Sequence, residues 1–236
     1  MKTLLLLWAV SLGTILSLAQ TKSPAAVEIT AEPSHHLALE NRYVRVFQVE
    51  VAPRSATLLH RHRHDYVFVS LGPSEISNEV QGKPAVKLTL KDGETRFAPG
   101  NFAHLARNLS NEPFRAVAIE FLQDEKAHNS PPPKWDEDRA LHVLHGGTED
   151  VMFVKDGVRV SETDLQIAGV VPKHRHTRPH LVVAITDLEL RSDVPGQGAS
   201  NLEMKSGDVK WVDSLYTHTL TNVGKGEAKF VTLEFQ

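Results

Sequence analysis

The chain of 236 residues contains no cysteine. That excludes disulfide scaffolds, thiolate-bound zinc, iron–sulfur clusters and cysteine nucleophiles, and any metal must be held by nitrogen or oxygen. Aromatic residues are scarce at 6%, and Lys plus Arg (26) nearly balance Asp plus Glu (29). The net charge of −3 lacks the basic surplus of a nucleic-acid binder. One hydrophobic run occurs, at residues 4–18 behind Lys2, ending in Ser17-Leu18-Ala19 before Gln20. At about 15 residues, diluted by Ser11, Gly13, Thr14 and Ser17, it falls short of the roughly 20 needed to span a bilayer. It reads as a secretory signal peptide over residues 1–19, cleaved after Ala19. The expectation is a secreted or periplasmic protein with no membrane contact after signal removal. What the chain has in excess is histidine, with thirteen.

The sequence repeats itself. Adding 114 to a residue number carries 41–122 onto 155–236 without a net insertion. Val44-Arg45-Val46 falls on Val158-Arg159-Val160, His60-Arg61-His62 on His174-Arg175-His176, and Gly93 on Gly207. His104 falls on His218, Asn108 on Asn222, and Glu120-Phe121 on Glu234-Phe235. Ordered identities through both segments mark a tandem duplication. Each copy is a series of short runs rich in Val, Ile and Phe, broken by turns such as Gly72-Pro73 and Lys91-Asp92-Gly93, with no helical periodicity. The pattern predicts an all-β fold of two sandwiches or barrels, at 41–122 and 155–236. Residues 20–40 read as an extended segment whose first part lies along a barrel. Residues 123–154, with Asn129-Ser130-Pro131-Pro132-Pro133, read as a linker with one short helix at 135–144.

Residues two apart on a strand share a face, so His60 aligns with His62 and His174 with His176. His104 and His218 follow 44 positions later, after a hairpin and just past a turn. A jelly roll brings such a late strand beside the early one, and three imidazoles then converge inside each copy. Three neutral nitrogens on a divalent ion leave positions open for chemistry.

These residues resemble the two motifs of the cupin superfamily, and the duplicated layout resembles a bicupin. The family's first motif is His-x-His followed by Glu, and its second is Gly-x5-Pro-x-Gly-x2-His-x3-Asn. Copy one matches with His60, His62, Gly93, Pro99, His104 and Asn108, although Gly100 stands one place early. Copy two keeps His174, His176, Gly207, His218 and Asn222 but has Asp213 and Leu215 for the Pro and Gly. Where the family places its carboxylate, this chain has Tyr66 and His180. His180 is therefore expected as a fourth ligand in copy two, and Tyr66 as a catalytic contact to substrate or oxygen. The resemblance implies an all-β tandem of cupin barrels. It also implies a divalent metal, with iron first and Mn, Zn, Cu or Ni as alternatives.

Cupins without the carboxylate include iron dioxygenases of thiols, diketones and aromatic acids. Neutral ligands leave the full metal charge available, which favours a small anionic or enolisable substrate. The four-histidine copy should bind metal more tightly, and the three-histidine copy one should carry the chemistry. The alternative is a non-enzymatic protein that binds metal or a small ligand. A decarboxylase or isomerase lacks a secure acid–base carboxylate beyond Glu120 and Glu234, which as strand-end residues default to outward salt bridges. Asn108 and Asn222 are expected to bond backbone. His35, His36, His64, His128, His142 and His145 are expected at surface or linker positions. Arg61, Arg63, Lys173 and Arg175 should face outward by parity, and a homodimer through sheet edges is a further expectation.

Overall fold

The computed structural model describes residues 25–123, 141–155, 157–213 and 215–235. The expected signal peptide and most of the expected helix lie outside the described residues. The first copy runs β1 (Val27–Glu28), β2 (His35–Glu40), β3 (Val44–Val51), β4 (His60–His62), β5 (Tyr66–Ser70), β6 (Ser74–Val80), β7 (Val86–Leu90), β8 (Thr95–Ala98), β9 (Phe102–Asn108) and β10 (Phe114–Phe121). They form two facing five-stranded sheets, β1-β4-β9-β6-β7 and β2-β3-β10-β5-β8. The second copy runs β11 (Leu141–Lys155), β12 (Val158–His176), β13 (His180–Ala184), β14 (Leu188–Val194), β15 (Gly198–Met204), β16 (Val209–Val212), β17 (Tyr216–Asn222) and β18 (Ala228–Phe235). Its order is β15-β14-β17-β12-β18-β13-β16, with β11 on β12. The orders coincide once β12 is seen to span both sheets, replacing the separate β3 and β4.

The repeat reaches further upstream than the histidine motifs suggest. Residues 141–155, which composition assigns to the linker, form β11 and pair with β12 as β2 pairs with β3. His35 lies opposite Val49 and Glu149 opposite Thr163, and both ladders slip at the equivalent place, between Leu37 and Leu39 and between Val151 and Phe153. The second half of β11 packs on the cores, with Val151 buried and Met152 and Phe153 against the cluster that joins the barrels, while the polar middle Gly146-Gly147-Thr148-Glu149-Asp150 gives no strand signal. At the N-terminus, β1 adds in parallel to β4, with Val27 opposite His60, and Ile29 joins the barrel core.

The central strands are buried on both faces, which is why they read as almost unbroken apolar runs. In β10, Phe114, Ala116 and Ala118 fill the first barrel with Phe47, Val49 and Val51. The alternate residues Val117, Ile119 and Phe121 join Val158, Val160, Leu181, Leu233 and Phe235 in a core shared between the barrels. Leu165, Val182, Leu190, Leu220 and Phe230 belong to the interior of the second barrel.

The shared core is two-fold symmetric in sequence. Phe121 meets its own counterpart Phe235, with ring centroids 6.0 Å apart. A side chain at Gly93 would stand 2.9 Å from the Ile185 methyl, and one at Gly207 would stand 3.0 Å from the equivalent Leu71 methyl. Both glycines also have positive φ, at 74° and 90°, so the contact and the turn independently require glycine.

The paired asparagines bond backbone. Asn222 Nδ2 donates to the carbonyls of Leu165, Gln166 and Gly226, and its Oδ1 accepts from Gly224 N–H. Asn108 does the same with Val51, Ala52, Glu112 and Ser110. Each side chain joins three chain segments from a site 1% exposed. Asn222→Ala should therefore cost about 2–4 kcal/mol, because three carbonyls lose a buried donor; urea unfolding should show the loss as a lower midpoint.

Candidate metal centres

Strand register assembles both clusters. In the first barrel His60 lies directly opposite His104 on β9, and in the second His174 lies opposite His218 on β17. His62 and His176 then approach from two residues along. In the second barrel the three Nε2 atoms face one another at 3.1 Å (His174–His176), 3.2 Å (His176–His218) and 2.9 Å (His174–His218). Nitrogens bound at right angles about 2.1 Å from one ion stand about 3.0 Å apart, so the triad has the spacing of one face of an octahedron.

Each opposite ring nitrogen is engaged. His174 Nδ1 donates to Pro172 O at 2.8 Å, His176 Nδ1 donates to Glu234 Oε1 at 3.0 Å, and His218 Nδ1 bonds Ser192 Oγ at 2.7 Å. A carbonyl and a carboxylate can only accept, so the ring protons of His174 and His176 sit on Nδ1 and their Nε2 atoms are bare. Two bare lone pairs 3.1 Å apart repel unless a cation lies between them. The residues fit a divalent ion.

The first barrel repeats these outer partners at the same offset. His60 Nδ1 donates to Leu58 O at 2.9 Å and His104 Nδ1 bonds Asn78 Oδ1 at 2.7 Å. His62 Nδ1 stands 3.3 Å from Glu120 Oε1 without hydrogen-bond alignment. Nε2 of His60 and of His104 are buried with no partner. Ring centroids of His60, His62 and His104 lie 4.5–5.1 Å apart. Burial holds His60 at about 4, His62 at about 3 and His218 at about 3, and lowers His104 and His174 too. The rings are neutral at pH 7, with lone pairs free for a metal.

The structure places several residues elsewhere than expected. His180 stands outside the triad: its ring lies on His176 with centroids 4.0 Å apart and planes inclined by 18°. Lone pairs of nearly parallel rings run alongside each other and do not meet at one ion, although the residue has the right parity. Tyr66 occupies the same position on His62, at 4.0 Å and 9°, and burial pushes its phenol up. Both residues brace a ligand ring.

His35, expected at the surface, is drawn into the first cluster by β2. Its ligand atom lies within 4.8 Å of those of His60 and His62. Its repeat counterpart is Glu149, so a search for His on His passes over it. Extending the offset of 114 upstream was the available signal.

Glu120 and Glu234 point inward, since the other face of β10 and β18 meets the partner barrel and not water. Glu234 also takes an ion pair from Arg159, Nη1 to Oε2 at 3.3 Å, as Glu120 does from Arg45 at 3.6 Å. Burial opposes ionisation of Glu234, but the hydrogen bond from His176 and the charge of Arg159 hold it below the usual range. Glu120, lacking an aligned bond, is raised by burial.

The two clusters differ in the space beside them. The second triad opens into a cavity of about 690 Å³ whose lining includes Glu149, Arg159, Ser192, Lys210 and Tyr216. Lys173 and Arg175, expected to point away, also line it. The first cluster has about 70 Å³ beside it, walled by Phe68, Ile76, Leu88 and Phe114. His64 lies in the bend after β4 and outside the first group.

No known family pattern matches the chain, and no curated protein does. Solved structures do. An oxalate decarboxylase structure concerned with substrate binding mode and reaction specificity aligns with 86% of this chain and 76% of its own at a TM-score of 0.61 and 11% identity. Oxalate decarboxylase from Bacillus subtilis at pH 4.6 aligns over 83% and 68% at 0.59 and 11%. A cupin domain from Bordetella pertussis is 23% identical over 40% of this chain and 97% of its own, at a TM-score of 0.37. At 11% identity the two oxalate decarboxylase alignments concern architecture alone, and they agree with the strand orders above: the chain has an all-β, cupin-type jelly-roll fold, and its histidine clusters fit divalent metal.

Proposed function

We propose that the protein is an exported, metal-dependent oxygenase that acts on a small anionic or enolisable substrate in the second barrel, with iron as its metal and manganese as the next choice. The carrying observation is that the Nε2 atoms of His174, His176 and His218 stand 2.9–3.2 Å apart, the spacing one divalent ion would need, at the wall of a cavity of about 690 Å³. That volume lies within the range of small-ligand sites, roughly 300–1,000 Å³. A redox-active ion there supplies a positive charge for the substrate and an electron path between substrate and dioxygen.

The chain's own residues supply the rest. Pro172, Glu234 and Ser192 fix the ring orientations, a second layer that raises ligand basicity. Arg159 offsets the charge of Glu234, so the metal keeps its attraction for an anion. Glu149 lines the cavity, 3.9 Å from both Arg159 Nη1 and His142 Nδ1. It can accept the proton that an enolisable substrate gives up on binding.

Glu149 also supports a second reading, cleavage of a small carboxylate without net oxidation, because it supplies an acid–base group beside the triad. The matched Bacillus subtilis oxalate decarboxylase is described with Mn(II) centres, which makes manganese the metal to test for that chemistry. A third reading is non-enzymatic metal or ligand binding.

Protein recovered from its exported fraction should begin at Gln20 by mass. Loaded with Fe(II) or Mn(II), it should consume oxygen with at least one of a panel of enols, thiols and phenolic or keto acids. Carbon dioxide release without oxygen uptake would move the assignment to the second reading. Inert zinc together with silence across the panel would leave the binding protein.

A further inference from the structure

We propose that the first barrel holds its metal with four imidazoles, the fourth being His35 from the strand that precedes the barrel, and that this closes the site to substrate. The inference rests on the reading that the histidine clusters bind metal, and it assigns the first barrel a purpose distinct from the second.

His35 is built like the ligands around it. Its Nδ1 donates to Glu32 Oε2 at 2.5 Å, which leaves Nε2 as the nitrogen with a lone pair for a metal. Glu32 is itself pinned: it is 2% exposed, and its two oxygens accept from the backbone N–H groups of Ser34 and Leu58 at 2.9 and 3.0 Å. The His35 ring centroid lies 4.7 Å from that of His60 and 6.4 Å from that of His62, and the ligand atoms of these three lie within 4.8 Å of one another in a group that does not take in His104; His104 joins it through His60, with ring centroids 4.5 Å apart. The buried, partnerless Nε2 atoms of His60 and His104 are the unmet demand that an ion would satisfy. The adjoining space of about 70 Å³ is far below the roughly 300 Å³ at which small-ligand sites begin.

The second barrel supplies the contrast. At the same ladder position, opposite Thr163 where His35 is opposite Val49, it carries Glu149. One position upstream of each barrel thus separates a closed all-nitrogen centre from an open one with a carboxylate at its wall. A metal in the first barrel would also tether the segment from β1 to β2, since Glu32 and His35 both belong to it.

Cobalt(II) is the probe, because its visible absorption is strong in a closed four-coordinate site and weak when water completes six positions. In the full chain carrying His174→Ala and His218→Ala, one cobalt should bind with an intense band. Adding His35→Ala should weaken binding by about 100-fold or more and bleach the band. Glu32→Gln, which only loosens the positioning of His35, should cost about 10-fold and leave the band in place. In the otherwise intact chain, His35→Ala should reduce tightly held cobalt from two ions to one. Unchanged affinity and an unchanged spectrum in the His35→Ala chains would overturn the fourth ligand alone. Failure of the folded parent chain to take up any cobalt would overturn the metal reading beneath it.

Discussion

Replacing His218 by alanine will empty the second barrel of metal and abolish its reaction, while the first barrel stays loaded. His218 supplies one of three converging nitrogens, and no described carboxylate oxygen falls within the 4.8 Å group that the three nitrogens form. A structural zinc site with four ligands is worth about 10–16 kcal/mol, or about 2.5–4 kcal/mol per ligand. Loss of one ligand should therefore weaken binding by about 100- to 1,000-fold. Metal analysis should fall from two ions per chain to one, with oxygen uptake lost. His180→Phe is the informative contrast. It preserves the flat contact on His176 and removes two nitrogens that take no part in the triad, so metal content should stay at two. A fall to one after His180→Phe would restore His180 as a ligand.

Phe235→Ala should cost about 3–5 kcal/mol, the usual range for a buried phenylalanine. Its ring is 1% exposed and packs between Tyr43, Trp211 and Phe121, with centroids 5.9, 5.3 and 6.0 Å away. All of these contacts lie in the core shared between barrels. The damage should therefore appear as uncoupling as well as weakening: calorimetry should resolve one transition into two as the barrels begin to melt separately. A single transition displaced by less than a degree would mean that the shared core carries little of the stability.

The repeat, the all-β architecture and six of the histidines were legible because period-two parity and a constant offset are local properties of a chain. Other features were not legible, for physical reasons. Glu120 and Glu234 read as outward salt bridges because an exposed opposite face was assumed, whereas that face is buried against a second barrel. The clue was present in Val117, Ile119 and Phe121, which alternate with Glu120 and leave it only the interior. His180 has the parity of a ligand, but parity fixes the side of a strand and leaves ring inclination undetermined. His35 was hidden by divergence, since its counterpart in the other copy is Glu149 and not a histidine. The strand at 141–155 was hidden because its polar middle, Gly146 to Asp150, interrupts the apolar residues at either end, and the Pro-rich run before it reads as linker.

The symmetric seam, with Phe121 against Phe235 and the two glycines each meeting the other barrel's aliphatic side chain, has an evolutionary consequence. A surface complementary to its own copy lets a single barrel associate with itself, and joining two copies in one chain turns that association into an intramolecular event at high effective concentration. A homodimer must carry the same pocket twice, because every substitution appears in both subunits. Fusion removes that obligation. One half of the chain could then become a sealed anchor and the other a roomy reaction chamber while the surface that joins them kept its symmetry.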